Sequence, residues 1–127
     1  MRSVLFVLGF ALLASHEIDA ALAAEWRLLY VLRGLPEPVA ASAFTLAHVP
    51  VFAVLLWLAF HRQVGVLTWA RRGFMAFLLI HAGLHARLSD HAAYGFSGWE
   101  SNLMIFGAAL VAVLYLLLDL FNRRSPS

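Results

Sequence analysis

Cysteine is absent from the 127-residue chain, which excludes disulfides, thiolate zinc sites and cysteine-ligated iron–sulfur clusters. Charged residues are scarce at 13%, about half of what a soluble globular domain carries. Lysine is also absent, since all nine basic residues are arginine. A small soluble domain could not bury the 63% of its residues that are hydrophobic, because such domains keep much of their surface exposed. The composition therefore predicts a single domain in a lipid bilayer.

The net charge of +2 would suit a nucleic-acid partner if the protein were soluble. The arginines, however, lie mostly at the ends of apolar runs, and no basic stripe with interleaved aromatic side chains occurs. We therefore expect no nucleic-acid partner and interpret the arginines as markers of membrane boundaries.

Four apolar stretches divide the chain, at about residues 4–24, 38–60, 73–88 and 103–121. Each approaches the ~20 residues that a helix needs to cross a ~30 Å hydrocarbon core. Gly34 and Pro36 are expected to end the first helix, and Ser97 with Glu100 forms a capping box before the fourth. We predict an all-α fold, an integral membrane four-helix bundle that forms one transmembrane domain over residues 1–127.

The first apolar stretch also fits a second interpretation. Arg2, the run from Val4 to Ala14 and the triplet Ala21-Leu22-Ala23 resemble a secretory signal peptide with its cleavage site. The ionisable side chains between residues 16 and 19 would be unusual just upstream of such a site, so we favour a retained transmembrane helix.

The arginines are distributed unevenly between the two sides of the predicted bundle. With four crossings both termini face the same side, and that side carries six of the nine arginines: Arg2, Arg62, Arg71, Arg72, Arg123 and Arg124. Because arginine is enriched in cytoplasmic segments, we predict that both termini are cytoplasmic.

Ionisable side chains lie inside three of the predicted spans, although an Asp at the centre of a membrane helix costs roughly 2.5–3.5 kcal/mol. They are His16, Glu17, Asp19, His48, His81 and His85. In an antiparallel bundle, a rise of about 1.5 Å per residue places all four histidines in the outer half of the membrane. His81 and His85 share one helix face, and His16 and Asp19 share another. The similar depth of the four histidines and the shared helix faces predict one interior site.

Three or four imidazoles with one or two carboxylates are ligands that Zn(II) or Fe(II) accepts. We predict a metal site that draws on His16, Asp19, His48, His81 and His85. Glu17 and Glu25 would serve as general base or orient a ligating imidazole. Zinc would turn a bound water into a nucleophile beside the lipid, as in an enzyme that acts on a lipid-like substrate, and iron would favour redox chemistry.

Two other interpretations explain the same residues. A b-type haem or electron-transfer subunit would use two histidines from facing helices, such as His48 and His81. Polar side chains inside a bundle also often only bind neighbouring helices, each contributing about 0.6 kcal/mol. That role fits a non-catalytic small subunit of a larger membrane complex, or a homo-oligomer.

Four short segments carry a resemblance to a known family: His16-Glu17-Ile18-Asp19-Ala20, Glu25-Trp26-Arg27, Ala47-His48-Val49-Pro50 and His81-Ala82-Gly83-Leu84-His85. They resemble a family of small four-helix bacterial membrane proteins of unknown function, which implies location in a bacterial inner (plasma) membrane. The first segment is also loosely similar to the uncharacterised HXXEE-motif family, although Asp19 and Ala20 stand where that motif has two glutamates. Neither resemblance implies an activity.

Overall fold

A computed structural model describes residues 1–124, without the side chains of residues 123 and 124. Arg123 and Arg124, which contribute to the predicted orientation, therefore lie outside the described side chains. Residues 1–124 form helices joined by turns and contain no strand. The four α-helices are α1 (Arg2–Leu22), α2 (Glu37–Ala59), α3 (Val64–Leu88) and α4 (Trp99–Arg124). A 3₁₀ turn, Glu25–Arg27, follows α1. The prediction of an all-helical chain with four helices is confirmed.

Three of the four helices are long and apolar enough to cross a membrane: α1, α2 and α4 over Trp99–Asn122. The remaining helix, α3, has 25 residues and is long enough, but it is less apolar because it contains three arginines and two histidines. Membrane character is therefore supported for three helices, and the fourth crossing stays a prediction.

Helix α3 begins at Val64, well before residue 73, where the apolar stretch begins. The added turns include Arg71, whose side chain is buried with only 6% exposed. Its Nε donates to the Ala59 carbonyl and its Nη1 to Ser3 Oγ, both at 2.9 Å. The guanidinium also lies 5.0 Å from the ring centre of Phe6. These partners stabilise Arg71 at a buried position of α3. A count of apolar residues does not anticipate a helix that continues through such an arginine.

Packing of α1 and α3 against α4 holds the bundle together, and α1 also contacts α3 directly. At Gly9, an added Cβ would come within 3.1 Å of Leu78 Cδ1, so the missing side chain lets α1 approach α3. The buried core runs along this contact, with Phe6 and Leu13 on α1 and Phe74 and Met75 on α3. Helix α2 buries less of its surface, so much of its apolar side chain area faces outward.

Candidate metal centre

Three histidines from two helices meet in the half of the bundle opposite the N-terminus. One ring nitrogen from each of His16, His81 and His85 lies within 4.8 Å of the others. His81 and His85 are one turn apart on α3 and share a face, and His16 approaches that face from α1. His16 is 1% exposed and His85 is 4% exposed. We call these three residues the histidine triad.

The rings of the triad pack against one another without a gap. The ring centres are 5.0 Å apart for His16 and His81, 4.8 Å for His16 and His85, and 4.6 Å for His81 and His85. Phe96 covers the cluster, with its ring centre 5.3 Å from that of His16 and 4.9 Å from that of His85. The triad is therefore a compact nitrogen-rich cluster under an aromatic cover.

Glu25 reaches the triad because the chain turns sharply after α1. Ala24 has φ of 55°, a left-handed conformation that is uncommon for a residue other than glycine. The turn is tied to the start of α2, since Trp26 Nε1 donates to Glu37 Oε1 at 3.1 Å and Arg27 Nη2 donates to the same oxygen at 2.7 Å. This arrangement returns the Glu25 carboxylate to the bundle interior.

The Glu25 carboxylate lies beside two members of the triad. Its Oε2 is 3.7 Å from His16 Nε2, and its Oε1 is 3.8 Å from His85 Nε2. Burial, together with the nearby carboxylates of Glu17 and Asp19, raises the pKa of Glu25 to about 7. A carboxyl group with such a pKa can take up and release a proton near neutral pH.

Unsatisfied polar atoms concentrate in this cluster. Among the described side chains, the buried nitrogen and oxygen atoms without a hydrogen-bond partner are His16 Nδ1, Glu25 Oε2 and His81 Nε2. Leaving a buried polar group unpaired costs about 1–3 kcal/mol. Three such atoms in one cluster leave nitrogen and oxygen positions that a bound group could contact.

Tyr94 and Phe96 are site residues that sequence reasoning missed. The Tyr94 hydroxyl lies 3.2 Å from His85 Nδ1 and can orient that imidazole. Between them, Gly95 packs on the end of α1, where an added Cβ would lie 3.2 Å from Ala23 Cβ. The only signal in the sequence was the presence of two aromatic residues in a segment that otherwise has the composition of a loop.

The structure separates His48 from the triad and pairs it with Glu17. His48 Nε2 lies 2.8 Å from Glu17 Oε2. His48 Nδ1 lies 2.8 Å from the Phe44 carbonyl, and because a carbonyl only accepts, Nδ1 carries a hydrogen. A proton therefore lies between Nε2 and the Glu17 carboxyl group. We call these two residues the Glu17–His48 pair.

Asp19 likewise binds a partner outside the triad. It accepts a hydrogen bond from Ser101 Oγ at 2.5 Å, which ties α1 to α4. Of the five residues predicted as metal ligands, the structure brings together His16, His81 and His85, and the two others bind different partners. Glu25, predicted as a general base, adjoins the triad.

A cavity of about 270 Å³ adjoins these groups. It is lined by Glu25, His81 and His85 and also by Glu17 and His48. Leucine and phenylalanine side chains form the remaining wall. A molecule in this cavity would contact two of the three triad histidines and the Glu17–His48 pair at the same time.

Comparison with known proteins matches nearly the whole chain to one family model. The model of DUF6713, a family of unknown function, matches residues 2–122. Neither a curated protein nor a solved structure matches the chain. The expectation of an uncharacterised family is thereby confirmed, and the match includes every residue of the triad.

Proposed function

The chain belongs to DUF6713, a family of unknown function, and from that premise we propose that it is a membrane protein that binds zinc or iron through His16, His81 and His85. Three ring nitrogens within 4.8 Å of one another carry this proposal. The unpaired His81 Nε2 and Glu25 Oε2 support it, because a bound cation would give both atoms a partner.

The donor set suits either metal. Catalytic zinc is usually held by three protein ligands and keeps a fourth position for water, as three histidines would allow. Non-haem Fe(II) is commonly held by two histidines and one carboxylate, a set that Glu25 could complete. Tyr94, beside His85 Nδ1, would fix the orientation of that ligand.

We further propose that the bound metal activates water against an ester or amide of a lipid-like substrate. A metal held by the triad would supply water whose pKa is lowered to about 7. Glu25 would take the proton of that water as its oxygen bonds to the carbonyl carbon, and would return the proton to the leaving group as the bond to that group breaks. With iron, the same site would instead support redox chemistry.

We propose four membrane crossings with both termini in the cytoplasm of a bacterial cell, at its inner (plasma) membrane. Three apolar helices support the membrane location. The distribution of arginine supports the orientation, which places the metal centre in the outer half of the bilayer. We also propose that the protein associates with other membrane proteins or with a second copy of itself. The loose similarity to the HXXEE-motif family is likewise a proposal.

Haem and a purely structural role receive less support. Ring centres only 4.6–5.0 Å apart leave no slot for a macrocycle within the triad, and His48 is already bound to Glu17. Side chains that merely join helices would be expected to satisfy one another. The unpaired atoms of the triad and Glu25 are not satisfied in this way.

Metal analysis of the purified protein tests the proposal. Protein stripped with a chelator and reloaded should retain about one zinc or iron per chain and show no haem band. His81→Ala and His85→Ala should each lose the metal. His61→Ala is the matched control, because His61 lies in the connection between α2 and α3, at the opposite end of the bundle. Equal metal content in all four folded proteins, including none, would overturn the proposal.

A further inference from the structure

A second cavity, of about 300 Å³, lies between α1, α2 and α3. Its walls are almost entirely apolar and include Leu13, Val51, Phe52, Leu55, Phe74 and Phe77. The Glu17–His48 pair lines it too and supplies the polar side chains of its wall. We call this space the apolar groove.

The apolar groove adjoins the cavity at the metal centre. Glu17, His48 and Phe77 line both spaces. The Glu17–His48 pair therefore places its polar atoms in a wall that the two spaces share. The cavity adds Glu25 and two histidines of the triad, whereas the rest of the groove offers only apolar contacts.

We propose that the apolar groove and the adjoining cavity together bind a long-chain acyl lipid, with its hydrocarbon chain in the groove and its carbonyl head between the Glu17–His48 pair and the triad. The inference deepens the proposed function and rests on it for the chemistry at the head. The substrate class is then an ester or amide of a long unbranched fatty acid.

The Glu17–His48 pair is placed to bind such a head group. Its side chains are only 13% and 25% exposed, so lipid chains alone would leave polar atoms beside hydrocarbon. A carbonyl oxygen accepts hydrogen bonds, and when His48 Nε2 carries the hydrogen it would share that hydrogen with the Glu17 carboxylate in a three-centre bond. A simple alkane would offer no such partner, so the head should add to the affinity that the chain provides.

Gly73 allows the apolar groove to be blocked without disturbing the fold. It lines the groove from α3, and an added Cβ would meet no atom within 4 Å. Gly73→Leu should therefore fill space that the acyl chain would use. Gly83→Leu is the matched control, because Gly83 lies on the same helix with equally open space and lines neither cavity. Val51→Trp narrows the groove independently from α2.

The test uses photoreactive probes on purified full-length protein in lipid nanodiscs. The first probe is a palmitoyl ester with a diazirine in its chain, and the second is the alkane of equal length. The ester should label peptides around Val51 and Phe77 in the wild type and in Gly83→Leu. Labelling should fall about tenfold in Gly73→Leu and Val51→Trp. A loss of this size is expected when about two methylene groups of the acyl chain can no longer be buried in the groove.

The alkane isolates the contribution of the head. It should label the wild type more weakly than the ester, and His48→Phe should remove the difference. Equal labelling of all folded variants, or equal labelling by both probes, would overturn the inference. Metal content is measured on the same samples, so a wild-type protein that binds no zinc or iron refutes the proposed function separately from the behaviour of the probes.

Discussion

The Nε2 atoms of His16 and His85 lie 3.2 Å apart, although 69 positions separate the two residues in the chain. Two nitrogens bound to one tetrahedral zinc ion at about 2.0–2.1 Å would lie about 3.3 Å from each other. The helices therefore hold these atoms at the spacing that a shared metal ion requires. Without a metal, only one of the two nitrogens can carry the hydrogen between them.

Zinc should stabilise the folded protein through this pair. A ligand that binds only the folded state adds about 2.7 kcal/mol to the free energy of unfolding at roughly a hundred times its Kd. We expect added zinc to raise the Tm of chelator-treated wild-type protein, measured in detergent, and to leave His16→Ala unchanged. His91→Ala, which removes an exposed histidine, should respond like the wild type. An equal rise in His16→Ala would contradict this prediction.

Glu25 should make the stability of the metal-free protein depend on pH. Burial raises its pKa from about 4.5 to about 7 on folding, so the folded state keeps a proton that the unfolded chain has already lost. The stability that this group contributes is therefore full below about pH 4.5 and falls as the pH rises to about 7.

The measurement is a comparison of Tm against pH for wild type and Glu25→Gln, both free of metal. Because other ionisable side chains, including His16 and His85, lie beside Glu25, the difference between the two curves isolates the carboxyl group. Between about pH 4.5 and about pH 7, the Tm of the wild type should fall relative to that of Glu25→Gln. Parallel curves would show that Glu25 has an ordinary pKa.

Asp119 should be essential for stability at the opposite end of the bundle. It is 1% exposed and accepts hydrogen bonds from Arg2 at 2.6 Å and from Arg72 at 2.8 Å. Removing one partner of a buried ion pair typically costs about 3–5 kcal/mol because the other charge loses its partner. We expect a loss near the lower end for Asp119→Ala in reversible unfolding, because Arg2 is partly exposed.

Asp90→Ala serves as the control for Asp119→Ala, since Asp90 is exposed. Surface substitutions of this kind usually change stability by less than about 0.5 kcal/mol. Similar effects of the two substitutions would show that the ion pairs of Asp119 contribute little.

The orientation can be tested by cysteine labelling, because the natural chain contains no cysteine. Gln63→Cys lies just before α3, and Ser97→Cys lies just before α4. A membrane-impermeant thiol reagent added to intact cells with a permeable outer envelope should label Ser97→Cys, and Gln63→Cys only after lysis. Labelling of Gln63→Cys from outside would reverse the predicted orientation.

The sequence by itself determined the number and type of the elements. Four apolar stretches separated by turn residues correspond to four helices, because burying apolar residues without water requires that each backbone group bond within its own helix. The helical repeat alone also places His81 and His85 on one face of their helix, whatever that helix packs against. Depth along the chain was enough to predict that the histidines share one layer.

Tertiary structure decided which members of that layer meet. The rotation of each helix about its axis depends on contacts such as Gly9 with Leu78, which no local pattern encodes. That rotation directs His16 toward His81 and His85, and it directs His48 toward Glu17. The return of Glu25 depends on the left-handed Ala24, and Tyr94 arrives from a loop. Composition and periodicity report the depth and face of a residue within one helix, whereas a site shared between helices depends on how their surfaces fit together.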